Sequence, residues 1–268
     1  GRGMRPVLHA EDVDTAYERC AAEAALAFGC ADLYVEELLT DCRHIEVQVI
    51  GDGVRAMHLH DRDCTVQRSR QKLIEIAPAP ALDAVTRRRL AGASLALARE
   101  SGLRGVATFE FLVFPEAGRT AFAFVEANPR IQVEHTVTEM VLGIDLVRAQ
   151  LLIAGGASLA EAGLDPDHPP EPRGFAVQVR INAERVGPDG GVRPAAGTLT
   201  AFDLPGGPGV RVDSHGYTGY AFAPRFDSLL AKLVVHSDVD AFDAAAARTR
   251  RTLDEFRIEG IETNAALL

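Results

Sequence analysis

The sequence predicts an α+β fold: an antiparallel sheet with flanking helices, followed by a second region mixing short strands and helix. Three observations predict it. Polar and apolar residues alternate over 43–50, 124–134 and 175–184, the period-two signature of extended chain with unlike faces. Helical periodicity with start or stop residues marks 11–28, 83–100, 136–153 and 240–256. Prolines and charges crowd residues 165–174, which fit neither element and mark a boundary.

Taken in order, residues 11–28 place acids in a first turn, continue as alanine-rich helix and stop at Gly29. Residues 32–39 (DLYVEELL) read as a strand. Two strands then flank Gly51-Asp52-Gly53 as a hairpin, with His44, Glu46 and Gln48 on one face and Ile45, Val47 and Val49 on the other. Arg62, Arg68, Arg70 and Lys72 make the next segment the most cationic of an acidic chain, compatible with a solvated loop or an anion site. Residues 83–100 form an amphipathic helix ended near Gly102.

Residues 105–114 and 120–128 read as two strands around PEAGR. In a register pairing Phe114 with Phe122, Glu110 falls opposite Glu126, and like charges directly opposed across a ladder repel. A divalent cation between them reverses the sign, and Asn128 adds an oxygen on that side; such an oxygen-only set suits magnesium. Thr136-Val137-Thr138-Glu139 is a capping-box sequence, and Met140, Val141, Ile144, Val147, Leu151 and Ile153 follow as a stripe read as core. Beyond the boundary, 175–184 alternates again, 228–236 reads as a strand and 240–256 as a final helix.

Composition narrows the function classes. The chain has 268 residues, 47% hydrophobic and 25% charged, enough to bury a core without covalent staples. A net charge of −10 argues against nucleic acid as the main partner. Cys20, Cys30, Cys42 and Cys64 include no C-x-x-C pair, which argues against zinc and suits a reducing cytosol. No apolar run is long enough to span a membrane and the start lacks a signal core, so the expected setting is cytoplasmic. GRGMR at the start and IEGIETNAALL at the end read as cut, so the chain is expected to be a fragment.

The stretch FVEANPRIQVEHTVTEM, residues 124–140, carries the most chemistry. Glu126, Asn128, Arg130, Gln132 and Glu134 alternate with Ala127, Pro129, Ile131 and Val133. Alternation alone describes an ordinary strand with a solvated face. An acid, amide, guanidinium, amide and acid in series describes a surface that holds a charged ligand.

With TFEFL before it and QVRINAE after it, this stretch resembles biotin carboxylase, the ATP-grasp component of acyl-CoA, pyruvate and urea carboxylases. RDCTVQRSRQK with EIAPAP, and GYAFAPRFDSLLAKL, resemble the family at their expected places. The resemblance implies an ATP-grasp sheet with flanking helices, then the family's mixed β/α C-terminal domain. Its divisions are 1–38 as the end of the lid subdomain, 39–165 as the central catalytic domain and 174–268 as an incomplete C-terminal domain.

The implied reaction is ATP-driven activation of bicarbonate as carboxyphosphate, then carboxylation of the ureido N1′ of biotin. Glu110, Glu126 and Asn128 match magnesium (or manganese) positions; Lys72, Arg130, Gln132 and the Val133 backbone match bicarbonate positions. Glu134 matches the general base, and Arg180 the residue that stabilises the biotin enolate. Glu36, the Leu39 backbone, His44, Gln67, Arg70 and Leu112, with Glu110, match ATP contacts. Arg70 departs from the family's usual His or Asn, which puts its contact in doubt. Implied partners are a biotin carboxyl carrier, a carboxyltransferase that sets the final acceptor, and a second copy in a homodimer. As a fragment the chain is expected to be inactive alone, since the nucleotide-gripping lysines of the family lie upstream. Two alternatives stay open: another ATP-grasp ligase of the carbamoyl phosphate synthetase type, and a non-catalytic scaffold.

Overall fold

The computed structural model describes residues 4–68, 70–187, 191–225 and 227–268. Gly1-Arg2-Gly3 of the opening glycine-basic run therefore lie outside the described residues. Two compact units divide between Cys42 and Arg43.

In the first unit, α1 (Val13–Phe28) ends at the expected stop: Gly29 takes φ 72° and donates to the Ala25 carbonyl at 3.0 Å. The strand expected over 32–39 does not form. Among the described residues no neighbouring strand takes its backbone groups, and Tyr34 and Val35 are 82% and 91% exposed. β-forming side chains do not make a strand without a partner and a surface to cover.

The second unit is built on an eight-stranded, wholly antiparallel sheet. Its first strands are β1 (Arg43–Asp52), β2 (Ala56–Arg68), β3 (Gln71–Ala77), β4 (Arg104–Glu116), β5 (Arg119–Asn128) and β6 (Phe175–Asn182). Short strands follow: β7 (Glu184–Val186) pairs β8 (Val192–Pro194), β9 (Gly197–Thr198) pairs β12 (Ala221–Phe222), and β10 (Ala201–Asp203) pairs β14 (Arg257–Glu259). With β11 (Val210–Ser214) and β13 (Leu229–Ser237), the main sheet runs β11-β13-β6-β3-β2-β1-β4-β5. The proline-rich stretch 165–174 interrupts the regular structure but not the sheet, because β6 pairs with β3, Glu75 facing Gln178.

Each face of the sheet is covered for a reason visible in the pleat. Ile45, Val47 and Val49 point to one side with Ala107, Phe109 and Phe111, where Leu90 and Ala98 of α2 (Ala84–Glu100) pack on them. Asp83 caps that helix, its side chain accepting from the N–H groups of Val85 and Thr86 at 3.0 and 2.8 Å. On the other side lie α3 (His135–Leu142) and α4 (Leu146–Ala154), whose Val137, Val141, Leu146 and Ile153 meet Ile50, Met57, Leu59 and Val106. Through α5 (Phe242–Asp254), Ala245 packs against Ile76 and Val177.

Four local expectations need correction. The β4–β5 loop is only Ala117-Gly118, with φ 47° and 77°, a two-residue hairpin turn that pairs Phe114 with Ala121 rather than Phe122. A register shift past Phe124 leaves Val125 extra, and this bulge restores Glu110 opposite Glu126. The extended run expected through Glu134 stops at Asn128, because Pro129 has no N–H for the ladder. The capping box does not form: Thr136 lies inside α3, donating to Gln178 at 2.5 Å, while Glu139 accepts from the Leu146 N–H at the start of α4. The stripe is not all core either. Gly143, at φ 68°, breaks it into two helices and leaves Val147 and Leu151 at 43% and 66% exposure.

Candidate active site

The register places four charged residues in one row across four strands: Arg62 on β2, Glu46 on β1, Glu110 on β4 and Glu126 on β5. Arg62 is fully buried; its Nε donates to Glu46 at 2.6 Å, and Nη1 donates to Gln48 at 2.7 Å and Thr138 at 3.0 Å. Its Nη2 reaches Thr108 at 3.1 Å. A buried carboxylate without such a partner costs several kcal/mol, so Arg62 is what lets Glu46 stand under the site as an anion.

Lys72 rises from β3, opposite Gln67 on β2, to join the other carboxylates. Its Nζ lies 2.6 Å from Glu46, 2.6 Å from Glu134 and 3.2 Å from Glu110. Burial works against its charge, but Glu46 and then Glu134 and Glu110 hold its pKa above the ordinary lysine value. Lys72 is therefore a fixed cation at neutral pH. Burial likewise opposes the charge of Glu110, yet the bond from His44 and the charge of Lys72 hold its carboxyl down to about 2.

The β4–β5 ends bring the expected metal-binding residues together. Asn128 Nδ2 donates to Glu126 at 2.8 Å and to Glu110 at 3.1 Å, and Arg130 Nη2 reaches Asn128 Oδ1 at 3.2 Å. His44 Nε2 lies 2.7 Å from Glu110, and its Nδ1 lies 3.0 Å from Gln67 Nε2. Glu110 and Glu126 thus face the Asn128 amide nitrogen; the two carboxylates, joined by the amide oxygen once the amide turns, are donors suited to a hard divalent cation.

Glu134 sits at the turn before α3 and is 2% exposed. Arg180 Nη2 approaches it at 3.1 Å from the other side, across from Lys72. Gln132 donates to Glu110 at 3.0 Å, while its Oε1 is buried without a hydrogen-bond partner. Lys232 on β13 fixes the adjoining backbone, donating to the Val133 carbonyl at 2.9 Å.

Above Glu46 and Arg62 lies an open cavity of about 400 Å³. The expected His44, Gln67, Arg70, Lys72, Glu110, Glu126, Asn128, Arg130, Gln132, Val133, Glu134 and Arg180 all belong to its wall. Leu112 does not; it faces His44 across the β1–β4 ladder, outside the lining. Glu36 and Leu39 lie in the irregular segment of the first unit. The sequence reading missed Asn182, Asp227 and Ser228 on the wall, and Glu46, Arg62, Glu75 and Gln178 beneath it. Glu46 could have been found, since it shares its alternating face with His44; the other three are recognisable only once strands distant in sequence pair.

Chemically, the cavity joins an oxygen-rich corner to a carboxylate flanked by cations. It can hold an anion against Lys72, Arg130 and Arg180 and present Glu134 to it as a proton acceptor.

Comparison with known proteins yields a consistent set of likenesses. The model of the carbamoyl-phosphate synthase L chain ATP-binding domain matches residues 1–162, and that of the biotin carboxylase C-terminal domain matches 178–268. A biotin carboxylase of Pseudomonas aeruginosa is 44% identical over the whole chain, which spans 57% of that relative's length. The biotin carboxylase domain of a single-chain bacterial carboxylase superimposes with TM-score 0.85 at 46% identity, over 99% of this chain and 56% of that one. The biotin carboxylase domain dimer of Hydrogenobacter thermophilus 2-oxoglutarate carboxylase, solved with MgADP, ADP and bicarbonate, gives 0.88 at 38% identity, over 98% and 56%.

Proposed function

The chain belongs to the biotin carboxylase family, and from that premise we propose that it supplies most of the catalytic surface of an ATP- and bicarbonate-dependent biotin carboxylase. The observation that carries this reading is the convergence of Lys72 and Arg180 on Glu134, at 2.6 and 3.1 Å, beside the Glu110–Asn128–Glu126 cluster.

In this reading Lys72, Arg130, Gln132 and the Val133 backbone hold bicarbonate. A guanidinium fork matches a planar carboxylate-like anion. Glu134 takes the bicarbonate proton as its oxygen attacks the γ-phosphorus of ATP, giving ADP and carboxyphosphate. Arg180 then faces the negative charge that develops on biotin when its ureido nitrogen loses a proton, a stabilisation needed only during reaction.

The donor chemistry of Glu110, Glu126 and Asn128 fits magnesium, or manganese in its place. A cation held there neutralises charge on the ATP phosphates during transfer. This reading gives nucleotide contact to His44 and Gln67, already paired with each other, and to Arg70 on the same wall. The break between a central domain over 39–165 and a C-terminal domain over 174–268 is supported on its C-terminal side by the two family models, which leave 163–177 between them. The C-terminal match also favours this reading over a carbamoyl phosphate synthetase-type ligase. Among the described residues no helix is long and apolar enough to cross a membrane. Our reading places the enzyme in the cytoplasm as a homodimer, working with a biotin carrier and a carboxyltransferase.

The test is ADP release from the chain completed to the length of its biotin carboxylase relatives, with magnesium, ATP and bicarbonate. Free biotin stimulates release, and Glu134→Gln lowers it by about 100-fold or more. Release indifferent to biotin would point to another ATP-grasp ligase, and silence from a folded, ATP-binding protein to a scaffold.

A further inference from the structure

Glu75 on β3 is fully buried and contributes nothing to the cavity wall. Burying a carboxylate costs several kcal/mol unless its partners are well placed. Desolvation, the largest influence here, and the nearby Glu134 push its carboxyl up to about 7 despite Arg180. Such a group stands where an apolar residue would be cheaper, so its geometry needs a reason.

Its partners supply one. Arg180 Nε donates to Glu75 Oε1 at 2.5 Å, and Nη2 lies 2.5 Å from the same oxygen. That Nη2 is also the atom 3.1 Å from Glu134 Oε2, so Arg180 is anchored from behind by one carboxylate and presented to the cavity beside another. The second oxygen of Glu75 accepts from Gln178 Nε2 at 2.9 Å, and Gln178 Oε1 accepts from Thr136 Oγ1 at 2.5 Å, two residues past Glu134.

We infer that Glu75 is a positioning residue: its carboxylate, with its second oxygen held by Gln178, sets the Arg180 guanidinium against the reacting ligand. The inference rests on the biotin carboxylase reading. When a substrate separates Glu134 from Arg180, Glu75 keeps the guanidinium in place. A planar guanidinium held at one edge keeps the remaining edge for the ligand. A misplacement of about 1 Å at such a group costs on the order of 100-fold in rate.

The experiment is a double-mutant cycle of Glu75→Gln and Arg180→Gln in the completed protein, read as kcat/KM for free biotin and as biotin-independent ATP hydrolysis. Glu75→Gln keeps the size and one acceptor but removes the charge. The expected loss in biotin turnover is about 10-fold or more, and larger than the loss in biotin-independent hydrolysis. On the Arg180→Gln background the same change costs less than about 2-fold, because it acts through that arginine. Equal losses in both backgrounds, equal losses in both reactions, or no loss at all would overturn the inference. Where Glu75→Gln does not fold, Glu75→Asp, which keeps the charge but sets the carboxylate back one methylene, runs the same cycle against the same outcomes. Failure of the functional reading is distinguishable, since it shows in the unsubstituted protein as ADP release that biotin does not stimulate, and it removes this inference too.

Discussion

Arg62 has no exposed surface, yet it organises the floor of the site: one guanidinium bonds Glu46, Gln48, Thr108 and Thr138 from two strands and a helix. Replacing it leaves Glu46 buried with Lys72 as its remaining cation. Arg62→Met is therefore expected to destabilise the fold by about 3–5 kcal/mol, read from the midpoint of urea unfolding. A midpoint within error of the parent would show that Glu46 is neutral or resolvated. The residue scale also shows how far sequence alone reaches. Glu126, Asn128, Arg130, Gln132 and Glu134 were legible because they are near neighbours in the chain with a specific order. Arg62 was legible only as one more cation of a basic segment, since its meaning comes from β1, β4 and α3. Glu75, the first residue of EIAPAP, carried no signal until β6 paired beside it.

At the scale of elements, the hairpin β4–β5 sets Glu110 against Glu126 by two compensating irregularities, a loop shorter than PEAGR suggests and the extra Val125. The charged pair was legible while its register was not, because turn length and bulge each shift the pairing by one residue. Thr136-Val137-Thr138-Glu139 misled for a related reason: its capping groups are spent on Gln178 and on the next helix. The strand expected at 32–39 failed because propensity supplies no ladder partner. The entry into β6, which brings Arg180, depends on a close approach. Gly174 has φ 60°, and a Cβ there falls 1.9 Å from the Ser237 carbonyl on the adjacent strand. Gly174→Ala is expected to cost at least about 2 kcal/mol, read as a lowered Tm. An unchanged Tm would show that β6 and β13 separate at that edge without penalty.

At the scale of the whole molecule, an acidic chain of net charge −10 gathers Lys72, Arg130 and Arg180 at one cavity beside Glu110, Glu126 and Glu134. The eight-stranded sheet makes this possible, because β4 and β5 deliver Glu110, Glu126 and Asn128, β3 delivers Lys72 and β6 delivers Arg180 to the same cavity. The proposed function has these groups pass the carbon of bicarbonate to biotin. The measurement that tests it most directly is incorporation of labelled bicarbonate into acid-labile carboxybiotin by the completed protein, with ATP and magnesium, alongside Glu134→Gln and Arg180→Gln. ATP-dependent labelling of biotin is expected, reduced by about 100-fold or more in each variant. ATP hydrolysis with no label on biotin, or labelling indifferent to both substitutions, would contradict it.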